Sequence, residues 1–378
     1  MTDSIVYHAG TYRTALPEET WERVLPMLPR FGITRVADIT GLDDIGLPVH
    51  VAYRPDGLTY AVSIGTGMTP AQSRVSAAME GIEAWHAENL RVPVSARCGA
   101  VALGLDYDVR ELSLAPRSPL TANVVLDWVA GQGLLTGRDT FAPADLIRLD
   151  LTPPVDWAQA LFQVTSNGLA TGNTIAEAVL HGLVEVIERD SVASYLARPP
   201  GERRYVDPAT CHYPAVRRTL EALRAADCTV LVCDITGRVG LPCYAAVVWS
   251  PDVPITCGGY GCHVDRGIAI GRAMAEATQT RLAVIAGARD DIDSDCYRPA
   301  ARPPEPASLT PVADEPGWAN NSDLDAVIGH CAALVATVTG AEPFAVQITR
   351  PDIGIPAVKV IAPGLRMMHY ETLGMMWS

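Results

Sequence analysis

Three stretches of this chain place polar groups one helical turn apart. Glu80 and Glu83, Glu185 and Glu188, and Glu276 and Gln279 share an i, i+3 spacing, which sets both members on one face of a helix. Around the second pair the stripe is longer: Glu177, His181, Glu185 and Glu188 fall at i, i+4, i+8 and i+11. Ser73, Ser76, Glu80 and Glu83 repeat that logic, and Arg272, Glu276 and Gln279 form a third face with Arg281 close by. The plain reading of such a stripe is a solvated surface. Against it, Val179, Leu180, Leu183, Val184, Val186 and Ile187 make the rest of the second segment apolar, as Val75, Ala77, Ala78, Met79 and Ile82 do the first. A helix that is apolar over most of its circumference is buried, and a buried carboxylate needs a partner. Arg189 is one candidate partner; Mg²⁺ is another. Mg²⁺ takes a few carboxylates together with phosphate oxygens and water, and arginine presents forked donors to phosphate. These residue types therefore point to a metal–nucleotide or metal–phosphate site built by several helices.

The elements that must position these groups follow one order three times: strand, glycine-rich turn, helix. Leu58–Ile64 reads as a strand, Gly65-Thr66-Gly67 as its turn, and Thr69-Pro70 as the opening of a helix through Ser76 and Glu83. Leu161–Val164, then Asn167–Asn173, then a helix from Thr174 past Arg189 form the second unit. Tyr244–Trp249, then Cys257–Gly261, then a helix containing Arg272 and Arg281 form the third. Thr229–Ile235 and Ala357–Ile361 read as buried strands, and Arg302–Pro306 as an exposed proline-rich loop. The internal similarity suggests one site assembled from several helices, in an α/β (α+β) chain. No turn is a standard nucleotide fingerprint: there is no G-x-x-x-x-G-K-[ST], no G-x-G-x-x-G after a strand, and no G-x-S-x-G elbow. His86 and His181 read as core or helix-surface histidines rather than bases. Cys257, Cys262 and His263 match no common zinc spacing.

Composition narrows the partners. The 378 residues carry 29 Lys and Arg against 43 Asp and Glu, a net charge of −14. Such a balance argues against nucleic acid, whose phosphates call for a basic face. If the ligand is a nucleoside triphosphate, a divalent cation resolves the clash of two anions. The hydrophobic share, 48%, is that of a globular protein. No apolar run is long enough to span a membrane, and Met1-Thr2-Asp3-Ser4 has no signal-peptide character. Nine cysteines with no C-x-x-C pair read as reduced thiols, so a cytoplasmic location is expected.

Three separated segments resemble the motifs of the YcaO superfamily. They are Ser76–Glu83, Ser166–Asp190, and Arg272–Arg281 followed by Gly287-Ala288-Arg289-Asp290-Asp291. The resemblance covers nearly the whole chain. It is closest to the stand-alone YcaO proteins that work beside a TfuA partner, which Gly32–Arg35 and Thr40–Asp43 also fit. It implies one YcaO domain over residues 1–378, with the nucleotide motifs in about 60–300, 301–378 completing the domain, and a central ATP cleft. It implies ATP and Mg²⁺ as cofactors and phosphorylation of a backbone amide oxygen in a peptide. By position it places Glu80, Glu83, Glu177, Glu185 and Glu188 at metal. It places Arg13, Thr20, Ser76, Glu80, Glu83, Asn173, Glu177, Glu185, Glu188, Arg189 and Arg281 at nucleotide, and Glu185, Glu188, Arg189, Gln279 and Arg281 in catalysis. Three departures touch single contacts: Ala84 stands for a frequent arginine, Thr66 for the lysine of a Gly-Lys-Gly turn, and Ala170 for a serine. The end, His369–Ser378, lacks the Pro-x-Pro-x-Pro tail of azoline-forming members. The implied product is therefore a thioamide, with a TfuA-like partner, a sulfur donor and a dimer in keeping with the family. Azoline formation, and a non-catalytic accessory role, are the alternatives.

Overall fold

The computed structural model describes residues 6–8, 10–150, 160–287, 297–313 and 323–367. Ala288–Asp291, the N-terminal Met1–Ser4 and the tail from His369 lie outside the described residues.

Three antiparallel sheets and a hairpin carry seven helices among the described residues. The hairpin joins β1 (Val6–His8) and β2 (Thr11–Arg13), and α1 (Pro17–Val24) follows it. A meander of β3 (Arg35–Asp38), β4 (Val49–Tyr53) and β5 (Val62–Thr66) leads into α2 (Pro70–Glu88). A second sheet runs in the order β6 (Ala96–Cys98), β7 (Leu126–Gly133), β15 (Phe344–Gln347), β16 (Ala357–Ile361), β9 (Leu169–Thr171), with β8 (Asp139–Pro143) also on β7. The short α3 (Ala144–Ile147) follows β8, and α4 (Ile175–Leu196) follows β9. The third sheet runs β13 (Cys257–Cys262), β12 (Cys243–Trp249), β11 (Thr229–Asp234), β10 (Arg204–Asp207), β14 (Thr310–Pro311), where only β10 and β14 are parallel. Helices α5 (Pro214–Ala225), α6 (Arg266–Ala286) and α7 (Leu324–Thr339) complete the set.

The sequence places its three long helices well but misreads what precedes them. The supposed glycine turns are largely strand. Gly65 and Thr66 end β5, Leu169–Thr171 form β9, and Cys257–Gly261 lie within β13. Glycine is needed there because strand and helix touch through their backbones. A Cβ on Gly65 would lie 2.0 Å from the Ala77 nitrogen, and one on Gly261 2.1 Å from the Ala269 carbonyl oxygen. No such contact is possible for a larger residue. Leu161–Val164 makes only an isolated bridge, Phe162 to Leu114, and the first strand starts at Val62, not Leu58.

Each long helix is capped in the same way. Thr69 accepts from the Gln72 N–H, Thr174 from the Glu177 N–H, and Asp265 from those of Gly267 and Ile268. With starts fixed by caps, Glu80, Glu185 and Glu276 are each the eleventh helical residue, and Glu83, Glu188 and Gln279 the fourteenth. The apolar faces hold the helices in place. Leu183, Ile187 and Val184 of α4 pack with Val358, Val360 and the α7 residue Cys331. Ala269, Ala273 and Met274 of α6 pack with Tyr244, Ala246 and Val248. Ala77, Ala78 and Ile82 of α2 pack with Val24, Phe31 and Ala52.

Candidate active site

Two of the strand–helix units coincide in detail. The Ile64 N–H donates to Glu80 at 3.2 Å, and the Tyr260 N–H donates to Glu276 at 2.9 Å. The two pairs stand the same 196 positions apart (276 − 80 and 260 − 64). The next strand repeats the device on a neighbour, since the Thr171 N–H of β9 donates to Glu83 at 3.1 Å. Backbone N–H groups of β5, β9 and β13 thus orient one carboxylate each.

Helix α4 lies between the other two, and charge crowds around it. The carboxyl of Glu83 is held well above its ordinary value by burial, then by Glu185 and Glu80. Glu185 is pushed up to about 7 by burial and by Glu188, with Arg189, Lys359 and Arg272 pulling the other way. Glu276 is likewise pushed up to about 7, by burial and then by Glu188, with Arg189 and Arg272 opposing. So carboxylates from all three helices lie within electrostatic reach of one another. They are not sealed from water: the side chain of Glu185 is 20% exposed and that of Arg189 is 32% exposed, with the two 3.8 Å apart. Glu80 and Ser76 are exposed. Gln279 lies one turn beyond Glu276.

Beside this acidic zone lies a basic one. Burial lowers the pKa of Arg13, Glu177 raises it and Arg272 lowers it again. His181 and His263 are both lowered to about 3, by burial and then by Arg272 and Arg13, so both rings are neutral at pH 7. His263 also stacks on Tyr12 of the hairpin, with ring centroids 6.0 Å apart. His181, half-buried on α4, lies within electrostatic reach of Arg272 and Arg13. His86 is a core histidine: it is fully buried, with Nδ1 2.8 Å from the Ile82 carbonyl.

The N-terminal residues hold the basic zone to the start of α4. The Thr14 N–H and hydroxyl donate to Glu177 at 2.9 and 2.5 Å, and Arg13 lies 3.7 Å from the same carboxylate. Thr20 donates to the Asn173 side-chain oxygen at 2.8 Å, as Arg23 does at 2.9 Å. Arg13, Thr20, Asn173 and Glu177 are thus brought together, and Glu177 is engaged by the N-terminal segment rather than by the other glutamates.

Arg281 is placed elsewhere. It is 1% exposed, bonded to Asp43 at 2.9 Å, to Ser250 at 2.6 Å and to Asp252 at 3.2 Å. Five positions after Glu276, it points about 140° away around the helix, so the structure does not bring it to the carboxylates. Lys359 is the residue that motif reading missed. It is 4% exposed, donates to the Thr165 carbonyl at 2.6 Å, and is lowered to about 8 by burial while Glu185 and Glu83 raise it. Its signal was legible: one lysine inside Ala-Val-Lys-Val-Ile, a strand buried at every position. Glu276 and Arg272 were noticed on one face, but their closeness to α4 was not readable from the sequence.

Residues 64–366 match the family described as YcaO cyclodehydratase, ATP- and Mg²⁺-binding. An uncharacterized protein of Mycobacterium tuberculosis is 37% identical over 372 residues, covering 96% of this chain and 84% of that one. An uncharacterized protein in the tfuA 3′ region of Rhizobium leguminosarum bv. trifolii is 32% identical over 398 residues, covering 96% and 91%. The solved YcaO of Methanopyrus kandleri, bound with AMPPCP and Mg²⁺, shares the fold with a TM-score of 0.73 at 23% identity, over 96% of this chain and 94% of that one. The chain belongs to the YcaO family, whose enzymes are of the ATP-dependent cyclodehydratase type, and its cofactors are ATP and Mg²⁺.

The residues present fit that pair. Glu83, Glu185 and Glu276 hold protons unusually tightly, first because burial disfavours their charge and then because carboxylates neighbour them, and a divalent cation beside them would favour the ionised forms. Among the described residues no three His, Cys, Asp or Glu groups converge tightly enough to hold a metal alone. Phosphate oxygens and water would complete a Mg²⁺ shell, as that ion prefers. No described helix is long and apolar enough to cross a membrane.

Proposed function

We propose that this chain uses ATP to phosphorylate the oxygen of a peptide backbone amide, and that the finished product is a thioamide. One observation carries the reading: the cluster of charged side chains has two poles. Carboxylates of α2, α4 and α6 crowd one side, and Arg13, Arg272 and two neutral imidazoles line the other. A magnesium triphosphate has the matching poles. Glu80, Glu83, Glu185 and Glu188 would hold the metal; Arg189, Arg272 and Arg13 would neutralise phosphate charge; Thr20, Asn173 and Glu177 would fix the N-terminal segment around it. Bound there, ATP supplies the phosphoryl electrophile and Mg²⁺ the charge neutralisation. The chain's own work is positioning and electrostatic stabilisation.

The reaction balances as follows. Hydrosulfide adds to the amide carbon, and the carbonyl pair moves to oxygen. That oxygen takes the γ-phosphoryl group, releasing ADP. The carbon–oxygen bond then breaks, phosphate leaves with the former amide oxygen and takes up the S–H proton, and the sulfur pair left behind completes the C=S bond. A relative encoded beside tfuA supports a TfuA-like partner, and with it sulfur as the external nucleophile. The cyclodehydratase description of the family favours the second reading, in which a side chain of the peptide is the nucleophile and an azoline forms.

The test combines the protein, Mg²⁺, ATP, sulfide and a short peptide encoded beside its gene. Replacement of oxygen by sulfur in the product mass supports the thioamide. Loss of water assigns the azoline instead. Failure of calorimetry to detect Mg²⁺-dependent ATP binding removes both in favour of an accessory role.

A further inference from the structure

A cavity of about 40 Å³ lies against Lys359 and is also bounded by Gln163, Thr165, Asn167, Arg366 and Met367. Its polar groups are oddly spent. The Thr165 hydroxyl and the Asn167 side-chain N–H both donate to one thioether sulfur, that of Met367, at 3.3 and 3.4 Å. A thioether is a weak acceptor. The Asn167 side-chain oxygen is buried and makes no hydrogen bond, which is costly for a buried acceptor. The Lys359 ammonium, buried in the same wall, uses one donor on the Thr165 carbonyl and has others to give. Two neutral donors and a cation around a poor acceptor suit an oxygen that becomes negative. The unused acceptor of Asn167 suits an amide N–H.

We propose that this cavity seats the peptide amide undergoing activation, with Lys359, Thr165 and Asn167 holding its oxygen as it turns anionic and Met367 as a displaceable stopper. The inference rests on the functional reading above and deepens it. Lys359 lies within electrostatic reach of Glu83 and Glu185, so an oxygen held there adjoins the carboxylates assigned to the metal. Space argues for the stopper. A cavity of this size takes about one water, so a peptide link with its flanking carbons enters only when the Met367 side chain leaves. Residue 366 is tethered, its N–H donating to Asp190 at 2.8 Å, so rotation of the Met367 side chain need not displace the backbone before it. In the reacting complex, addition of sulfur to the carbonyl carbon moves the π pair onto oxygen. The Thr165 hydroxyl, the Asn167 amide and Lys359 then hold that oxygen until it is phosphorylated.

The experiment uses the full chain with ¹³C-methyl methionine, the Met367 signal being identified from Met367→Leu. The probe is N-acetylglycine N-methylamide, titrated in the presence of Mg²⁺ and AMPPCP, with AMPPCP binding followed by calorimetry in the same samples. We expect the Met367 methyl signal to shift saturably. The shift is retained in Thr165→Ser and lost in the near-isosteric Thr165→Val and in Lys359→Met. An unmoved Met367 signal while AMPPCP binds, or an unchanged shift in both Thr165→Val and Lys359→Met, overturns this inference alone. Absence of AMPPCP binding overturns the functional reading beneath it.

Discussion

Each of the three long helices carries two kinds of buried charge, and the contrast separates function from support. On α2, Glu88 meets Arg54 and takes two hydrogen bonds from Thr59, whereas Glu83, less than two turns earlier, faces Glu80 and Glu185. On α6, Arg281 is enclosed by Asp43, Ser250 and Asp252, whereas Glu276 faces Glu188. On α4, Asp190 is fully buried against Arg238 and the backbone N–H of Arg366, whereas Glu185 and Glu188 crowd together. Paired charges tie segments that are distant in sequence, such as Asp43 and Arg281. Of the crowded ones, Glu83, Glu185 and Glu276 lie among like charges and are favoured in the protonated form chiefly by burial, so a bound cation would favour their ionised forms.

The contrast can be broken from either side. The largest effect should come from the paired set. Arg281→Met leaves Asp43 buried without its cation and should cost about 3–5 kcal/mol of stability, read from the urea midpoint. A variant as stable as the parent would show that Asp43 and Arg281 do not hold the fold.

Next comes the crowded set. Glu185→Gln should lower ATP turnover by roughly 10²–10³-fold, the scale of losing one charge-stabilising group in an active site. Because it removes one of several like charges, its unfolding midpoint should equal or exceed the parent's. Loss of stability with turnover intact would reverse the assignment.

The smallest effect sharpens the comparison by pH. Glu185 and Glu276 titrate near 7 in the fold against an ordinary 4.5. The folded chain therefore binds these protons more tightly than the unfolded chain does. Their contribution to stability is fully present below about 4.5, is lost as pH rises to about 7, and is flat beyond. Thermal melts of the metal-free protein should show that decline. Mg²⁺ with AMPPCP should offset it, raising the melting temperature more at about pH 8 than at about pH 5. An equal gain at both would show that the ligand does not engage these carboxylates.

Much of this was readable from residue order. The i, i+3 acidic pairs on otherwise apolar segments announced two buried helices with a polar edge, and Thr69 and Thr174 marked their starts. Three things were not readable. The glycines of β5 and β13 look like turns, because a sequence shows conformational freedom but not the close backbone contact that also selects glycine. The placement of Arg281 was not readable either, since closeness to Gln279 in sequence does not say that the helix turns it toward Asp43, Ser250 and Asp252. Lys359 comes from a strand far along the chain, and its closeness to Glu83 and Glu185 follows from sheet order, with β16 paired to β9.

The shared eleventh position has a consequence for how such a chain can vary in length. One residue gained or lost between a helix cap and its glutamate turns that carboxylate by about 100° and shifts it by about 1.5 Å. The same change in a surface connection turns nothing. Tolerated insertions and deletions in natural variants should thus avoid three short windows, 69–83, 174–188 and 265–279, while the spans between them drift freely.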